Sequence, residues 1–210
     1  MKLTSDEARE MLEIFREKLD NPLWIDHSIG VGNIVKVIAQ ALKERGYDID
    51  IAKATALGYV HDIGKYTKNF HNHAMNGYKY LKDKGFDEDY CNICLTHSYL
   101  NNDITCTAGE LPDPNENLFL TNFIKTHQYT LEEKLINLCD LMCLQNGKAC
   151  TVDKRLVDII IRKGAYSNTQ YHVKETYKLK AYFDKMLGFD LYNLFPEIKN
   201  NLGSCIKVVG

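Results

Sequence analysis

Apolar residues recur at spacings of three and four along most of this chain, and no alternating apolar and polar run flanked by hairpin turns interrupts them. The expected fold class is therefore all-α. A first helix is predicted over 5–19, opened by a Thr4/Glu7 capping box, with Met11, Leu12, Phe15 and Leu19 facing inward. Asn21-Pro22 breaks the pattern, and a second helix runs from about 23 to 45, stopping at Gly46. Its early part is lined with small residues, Ser28, Gly30 and Gly32, which let another element or a ligand approach closely. A third helix spans roughly 51–65, capped by Asp48 or Asp50; a fourth covers 73–84 and ends at Gly85; Asp87 caps a fifth that reaches His97 and Ser98. Residues 99–129 lose the rhythm and carry loop chemistry around Asn101-Asn102-Asp103 and Pro112-Asp113-Pro114, with a short helix expected over 118–125. A Thr130/Glu133 capping box opens a sixth helix, 131–145. Two more follow, 153–163 and 171–187, closed by Gly164 and Gly188, before a tail in which Leu194-Phe195-Pro196 is expected to dock.

Composition narrows the picture. The chain has 210 residues and 45% hydrophobic content, enough for one domain with a full core. Its formal net charge is −2, so no nucleic-acid surface and no basic patch are expected. No apolar run approaches the roughly 18 residues of a membrane span, and the polar start Met1-Lys2-Leu3-Thr4-Ser5-Asp6-Glu7 lacks a leader pattern. A cytoplasmic protein that does not bind membranes is expected. The seven cysteines, including Cys91-Asn-Ile-Cys94 and the Cys139/Cys143 pair, are read as reduced, buried small hydrophobes.

Chemistry concentrates at His61-Asp62-Ile63-Gly64-Lys65, which follows the apolar stretch Ala54-Thr55-Ala56-Leu57-Gly58-Tyr59-Val60. A carboxylate buried there needs a cation beside it. The other candidate ligands are His27, His73, His97 and Asp140, each near a predicted helix end or in an apolar surround. Imidazole and carboxylate donors drawn from several helices are how helical proteins hold catalytic metals, and they suit iron, manganese, zinc, nickel or cobalt better than calcium. His71 competes with His73 and is read as a loop histidine. His127 is assigned to the surface or a lid, and His172 to a structural role.

The order His27, His61-Asp62, Asp140 resembles the HD superfamily of metal-dependent phosphohydrolases, and His61-Asp62-Ile63-Gly64-Lys65 matches its HDIG-type members. The resemblance covers about 20–145 and implies an HD-domain helical bundle, here with additional C-terminal helices over 151–210 as part of one domain. It implies that His27, His61, Asp62 and Asp140 bind one metal. His73, in His73-Ala74-Met75-Asn76-Gly77, and His97 fall where the two-metal branches carry extra histidines, which implies a second metal bridged by Asp62. The segment Thr130-Leu131-Glu132-Glu133-Lys134 through Cys139-Asp140 is similar to that of bacterial symmetrical diadenosine tetraphosphate hydrolases. Those enzymes place Tyr-His-Thr-x-Gly where this chain has Leu95-Thr96-His97-Ser98-Tyr99, and the Gly-Tyr-Pro string of the cyclic-dinucleotide phosphodiesterases is missing.

The expectation is a hydrolase of a phosphate ester or anhydride, using one or two divalent transition metal ions and taking a small phosphorylated molecule, a nucleotide first. With no basic patch, the metals supply the positive charge the phosphoryl group needs. Asp62 and Lys65 are assigned catalytic roles, Asp62 as a bridge between two metals or, with one metal, as the group that orients the hydroxide, and Lys65 as a point charge on a phosphate oxygen. Thr67, Lys68 and Asn69 are candidate polar contacts, and the 99–129 loop forms a wall or lid. The alternatives are a di-iron oxygenase of the same fold and a non-catalytic nucleotide-binding regulatory module. The late helices, with Tyr166, Tyr171, Tyr177 and Tyr182, pack on the domain or on a second subunit of a homodimer.

Overall fold

Each predicted helix has a physical start and stop, and most of them stand where the pattern puts them. The computed structural model describes residues 1–19, 23–67, 72–113, 115 and 117–198. Expectations for Asn21-Pro22, for Lys68, Asn69 and His71, and for the tail beyond 198 lie outside the described residues. The described elements are α1 (Ser5–Lys18), α2 (Leu23–Glu44), α3 (Ile51–Val60), α4 (His73–Asp83), α5 (Glu88–Cys91), α6 (Ile93–Thr96), α7 (Leu118–Thr126), α8 (Leu131–Asp140), α9 (Val152–Lys163) and α10 (Thr169–Leu187), with 3₁₀ turns at Ile63–Thr67 and Leu191–Leu194. Both capping boxes form: Thr4 with Glu7, and Thr130 with Glu133. Asp50 rather than Asp48 caps α3 by accepting from the Lys53 N–H. Gly164 and Gly188 follow α9 and α10 at positive φ.

Three boundaries differ from the expectation. The third helix ends at Val60, not Lys65; His61 and Asp62 form a turn, and Ile63–Thr67 tightens into 3₁₀ winding, with the Lys65 N–H bonding the Asp62 carbonyl at 3.0 Å. That winding presses Gly64 against α4, where a Cβ would lie 1.9 Å from the His73 carbonyl oxygen. The fifth helix divides into α5 and α6 at Asn92, whose angles remain helical. The sixth ends at Asp140 instead of Gln145, because the chain folds back: the Leu144 N–H bonds the Lys148 carbonyl at 2.9 Å, Cys150 bonds Met142 at 2.8 Å, and Gly147 turns at φ +77°.

Helix α2 runs through the middle, packed by α1, α3, α8 and α10. Its contact with α3 is a backbone approach. A Cβ on Gly32 would sit 2.2 Å from the Tyr59 ring, and one on Gly58 would sit 2.8 Å from the Gly32 Cα. The C-terminal helices return to the same core, where Phe183, Leu187, Leu191, Phe195 and Ile198 are buried with α2 residues such as Ile38 and Leu42. The six described cysteines are buried free thiols, as their apolar surroundings suggested.

Two expectations follow from this packing. Gly32→Ala forces the Tyr59 ring or α3 to move and should cost about 1–3 kcal/mol of stability, the scale of overpacking, read as a lower urea midpoint with the slope unchanged. On α10, burial pushes the His172 imidazole down to about 4. The unfolded chain takes up that proton near the ordinary value of about 6.5, so stability should fall as pH drops from about 6.5 toward 4, by on the order of 3 kcal/mol over the window. Urea midpoints of a His172→Gln variant should be flatter over that range; equal pH slopes in the two proteins would contradict the assignment.

Candidate metal centre

The turn after α3 aims His61 and Asp62 into the molecule side by side. The His61 Nδ1–H donates to the Gly58 carbonyl at 2.7 Å, which leaves Nε2 as the bare nitrogen. That atom is buried without a hydrogen-bond partner and faces Asp62 Oδ2 at 3.4 Å. Asp62 is only 3% exposed. Its Oδ2 also takes the Lys65 ammonium. Its Oδ1 turns the other way, 3.5 Å from His73 Nε2 and 3.4 Å from His97 Nε2. His97 Nδ1 is tied to the Ile93 carbonyl at 3.1 Å, one turn back. On the opposite side of His61, His27 Nδ1 bonds the Leu144 carbonyl at 3.2 Å while its Nε2 lies 2.7 Å from Asp140 Oδ1.

Small residues set these distances. Gly30 meets the fold-back after α8, where a Cβ would be 2.4 Å from the Gly147 carbonyl oxygen, and this contact delivers the Leu144 carbonyl to His27. The small-residue stripe of α2 thus receives protein elements: Gly30 takes the 143–147 turn and Gly32 takes Tyr59. Gly64 and Gly77 let the 3₁₀ turn and α4 touch, which puts His73 beside Asp62. Thr96 donates to the buried Glu133 at 3.1 Å, so the capping residue of α8 also fixes the end of α6, next to His97. His127 belongs to this network rather than to a lid, bonded to Glu133 at 2.9 Å and stacked on Phe123.

The result is two trios, His27/His61/Asp140 and Asp62/His73/His97, each with ligand atoms within 4.8 Å of one another. All six sequence candidates are therefore brought together. Three of the imidazoles give their Nδ1–H to a backbone carbonyl, so their Nε2 lone pairs and the carboxylate oxygens converge as acceptors. Acceptors buried against one another need a cation between them, and nitrogen with carboxylate oxygen is a donor set for transition metals. The carbonyl bonds also hold the rings in the orientation a ligand needs. Burial opposes ionisation of Asp62, but the Lys65 ammonium, joined by His61 when its ring is protonated, outweighs it and holds the carboxyl well below the usual range. Asp140 is likewise held well below by the protonated form of His27 against the burial penalty. Both carboxylates are charged at neutral pH.

Five of the six candidate ligands, all but His61, line a cavity of about 380 Å³, the size of a small-molecule site. Leu23, Trp24, Leu141 and Ile159 supply apolar wall, and Leu100, Thr107 and Ala108 bring in the 99–129 loop. Thr67 does not line it; its hydroxyl donates to the Gly64 carbonyl and accepts from Asn76. His172 does line it. The expected lack of a basic patch is corrected here: α9 carries Arg155, Arg162 and Lys163 to the wall, joining Lys65. Desolvation and the nearby Lys65 charge lower the Lys163 amine. Bulk charge hid this cluster because acidic residues elsewhere cancel it. The readable signal was Arg155 standing within the apolar stripe Val152, Leu156, Ile159, with Arg162 two turns further along.

Comparison with known proteins agrees with this geometry. A model of the HD domain family matches residues 24–142, which hold all six candidate ligands and more than half of the chain. A stretch of 73 residues is 30% identical to the uncharacterized protein MJ0778 of Methanocaldococcus jannaschii, covering 35% of this chain and 43% of that protein, so the shared stretch spans under half of the relative's length. No solved structure matches significantly. On the family match, the chain belongs to the HD domain family.

Proposed function

We propose that this protein is a metal-dependent phosphohydrolase acting on a small phosphorylated substrate, with a nucleotide as the first class to try. The observation that carries the reading is Asp62: one carboxylate oxygen faces His61 of the first trio and the other faces His73 and His97 of its own, so the side chain stands between the two groups. His27, His61 and Asp140 would hold one divalent ion, His73 and His97 a second, with Asp62 between them. Bound there, ions such as iron, manganese, zinc, nickel or cobalt supply positive charge to phosphoryl oxygens and lower the pKa of a coordinated water. The two-metal arrangement is the one the resemblance to the dinucleoside polyphosphate hydrolases implied.

The chain's own groups contribute the rest. Asp62, ionised and locked by its neighbours, is placed to orient a nucleophilic water. Lys65, partly exposed to the cavity and paired with Asp62, can swing its ammonium to a nonbridging phosphate oxygen as a point charge. The wall of Leu23, Trp24, Leu141 and Ile159 keeps bulk water from the reacting bond and offers apolar surface to the rest of the substrate. The cations that surround the candidate ligands favour an anionic substrate over a neutral one.

Two variants test the reading. Asp62→Ala should lose metal, by elemental analysis, and should lose hydrolysis by at least about a thousandfold, with the helical far-UV signal retained; turnover surviving in that protein would sink the proposal. Gly64→Ala substitutes none of the candidate ligands but pushes α4 off the 3₁₀ turn. Its bound metal should fall from about two ions per chain to about one, because His73 is displaced while His27, His61 and Asp140 are not. An unchanged metal count would show that the Gly64 contact does not set the second trio.

A further inference from the structure

The ligands and Lys65 leave one wall of the cavity without a task. Arg155 is 7% exposed. Its Nη1 donates to Asp158 at 3.2 Å and its Nη2 is 3.7 Å from Asp140 Oδ1, while its buried Nε has no hydrogen-bond partner. A guanidinium taken out of water with an N–H left over is costly unless something fills that position. Arg162, two turns on, donates from Nη2 at 2.8 Å and from Nε at 3.1 Å to the same Asp158 oxygen. Asp158 thus pins both guanidiniums on one face of α9 and cancels only one of their charges. Lys163 rests its alkyl stem near Gly109, where a Cβ would be 3.3 Å from the lysine Cδ, and joins the same wall.

The charge balance points to what this face is for. The cavity lining holds Lys65, Arg155, Arg162 and Lys163 against Asp62 and Asp140, and both carboxylates are engaged by the trios. A single phosphate at Lys65 leaves the three α9 cations with only Asp158 on their own helix to offset them. Because Arg155 abuts Asp140, neighbouring phosphoryl groups of one chain can reach both places. Planar guanidinium forks are suited to such oxygens. We propose that Arg155, Arg162 and Lys163 form a second anion subsite that binds a further phosphate of the substrate, so that the protein selects diphosphates and longer phosphate chains over monophosphates. The inference rests on the phosphohydrolase reading for its reaction but not for its binding.

The test is calorimetric binding of inorganic phosphate and of methylenediphosphonate, a diphosphate that hydrolysis cannot cleave, to the full chain in excess manganese. The native protein should prefer the diphosphonate by at least about tenfold. An Arg162→Gln, Lys163→Gln double variant, altered at exposed side chains, should lose that preference while its phosphate affinity changes less than about twofold. Arg155→Lys, which keeps the charge and removes the fork, should also reduce it. Equal affinity for the two anions in the native protein, or an undiminished preference in the double variant, would overturn the subsite. Because no turnover is measured, an Asp62→Ala protein that still hydrolyses would end the Asp62-centred metal mechanism without touching this result.

Discussion

An ionised carboxylate cannot stay in an apolar interior alone, and the arrangement of this protein follows from how Asp62 is accommodated. Its two oxygens are divided between partners. Oδ2 takes Lys65 and faces His61, and Oδ1 faces His73 and His97. Four different segments must therefore end at one point: the turn after α3, the 3₁₀ winding, the start of α4 and the end of α6. The partners lower the Asp62 carboxyl further than burial raises it, so the charge persists, and a persistent buried negative charge is what makes the place a cation site.

The glycines make that convergence geometrically feasible. Side chains at Gly64 and Gly77 would hold the 3₁₀ turn away from α4, and one at Gly30 would hold the turn after α8 away from α2. In each case the missing Cβ is replaced by backbone of another element, which lets carbonyl groups reach imidazoles: Leu144 to His27 directly, Gly58 to His61 within its own helix. The orientations of His27, His61 and His97 are thus set by peptide groups, whose positions are fixed by helix packing, rather than by mobile side chains. Three Nε2 atoms are kept pointed inward in this way.

The site also has two chemically different sides. The six candidate ligands lie within the region matched by the HD family, 24–142, and are contributed by α2, the α3 turn, α4, the end of α6 and α8. The opposing wall comes from α9 and α10, which lie beyond that region and add Arg155, Arg162, Lys163 and His172. The first side gathers imidazole and carboxylate groups; the second presents cations to the same cavity. A division of this kind lets one metal-binding core serve different substrates as its attached helices change.

How much of this could be read from residues alone differs by feature. The helices were legible because caps, glycines and apolar spacing are local: Thr4 with Glu7 and Thr130 with Glu133 state their boxes in four residues each. The ligands were legible because His61-Asp62 is an improbable pair in an apolar run, and the remaining histidines and Asp140 follow in an order that resembles a known family. What the chain does after the motif was not legible. Extending α3 to Lys65 and α8 to Gln145 obeys local propensity, yet both helices stop early because contacts with α4 and α2 are made better by a 3₁₀ turn and a fold-back. The basic wall was hidden for a related reason. Net charge sums over the whole surface, whereas the field in a cavity depends on which side chains the tertiary structure points into it. Sequence alone thus determined the elements and the candidate donor set, since those depend on neighbours within a few positions; only the tertiary structure decided that one carboxylate faces histidines of both trios and that four cations line the same cavity, since those depend on which separate segments pack together.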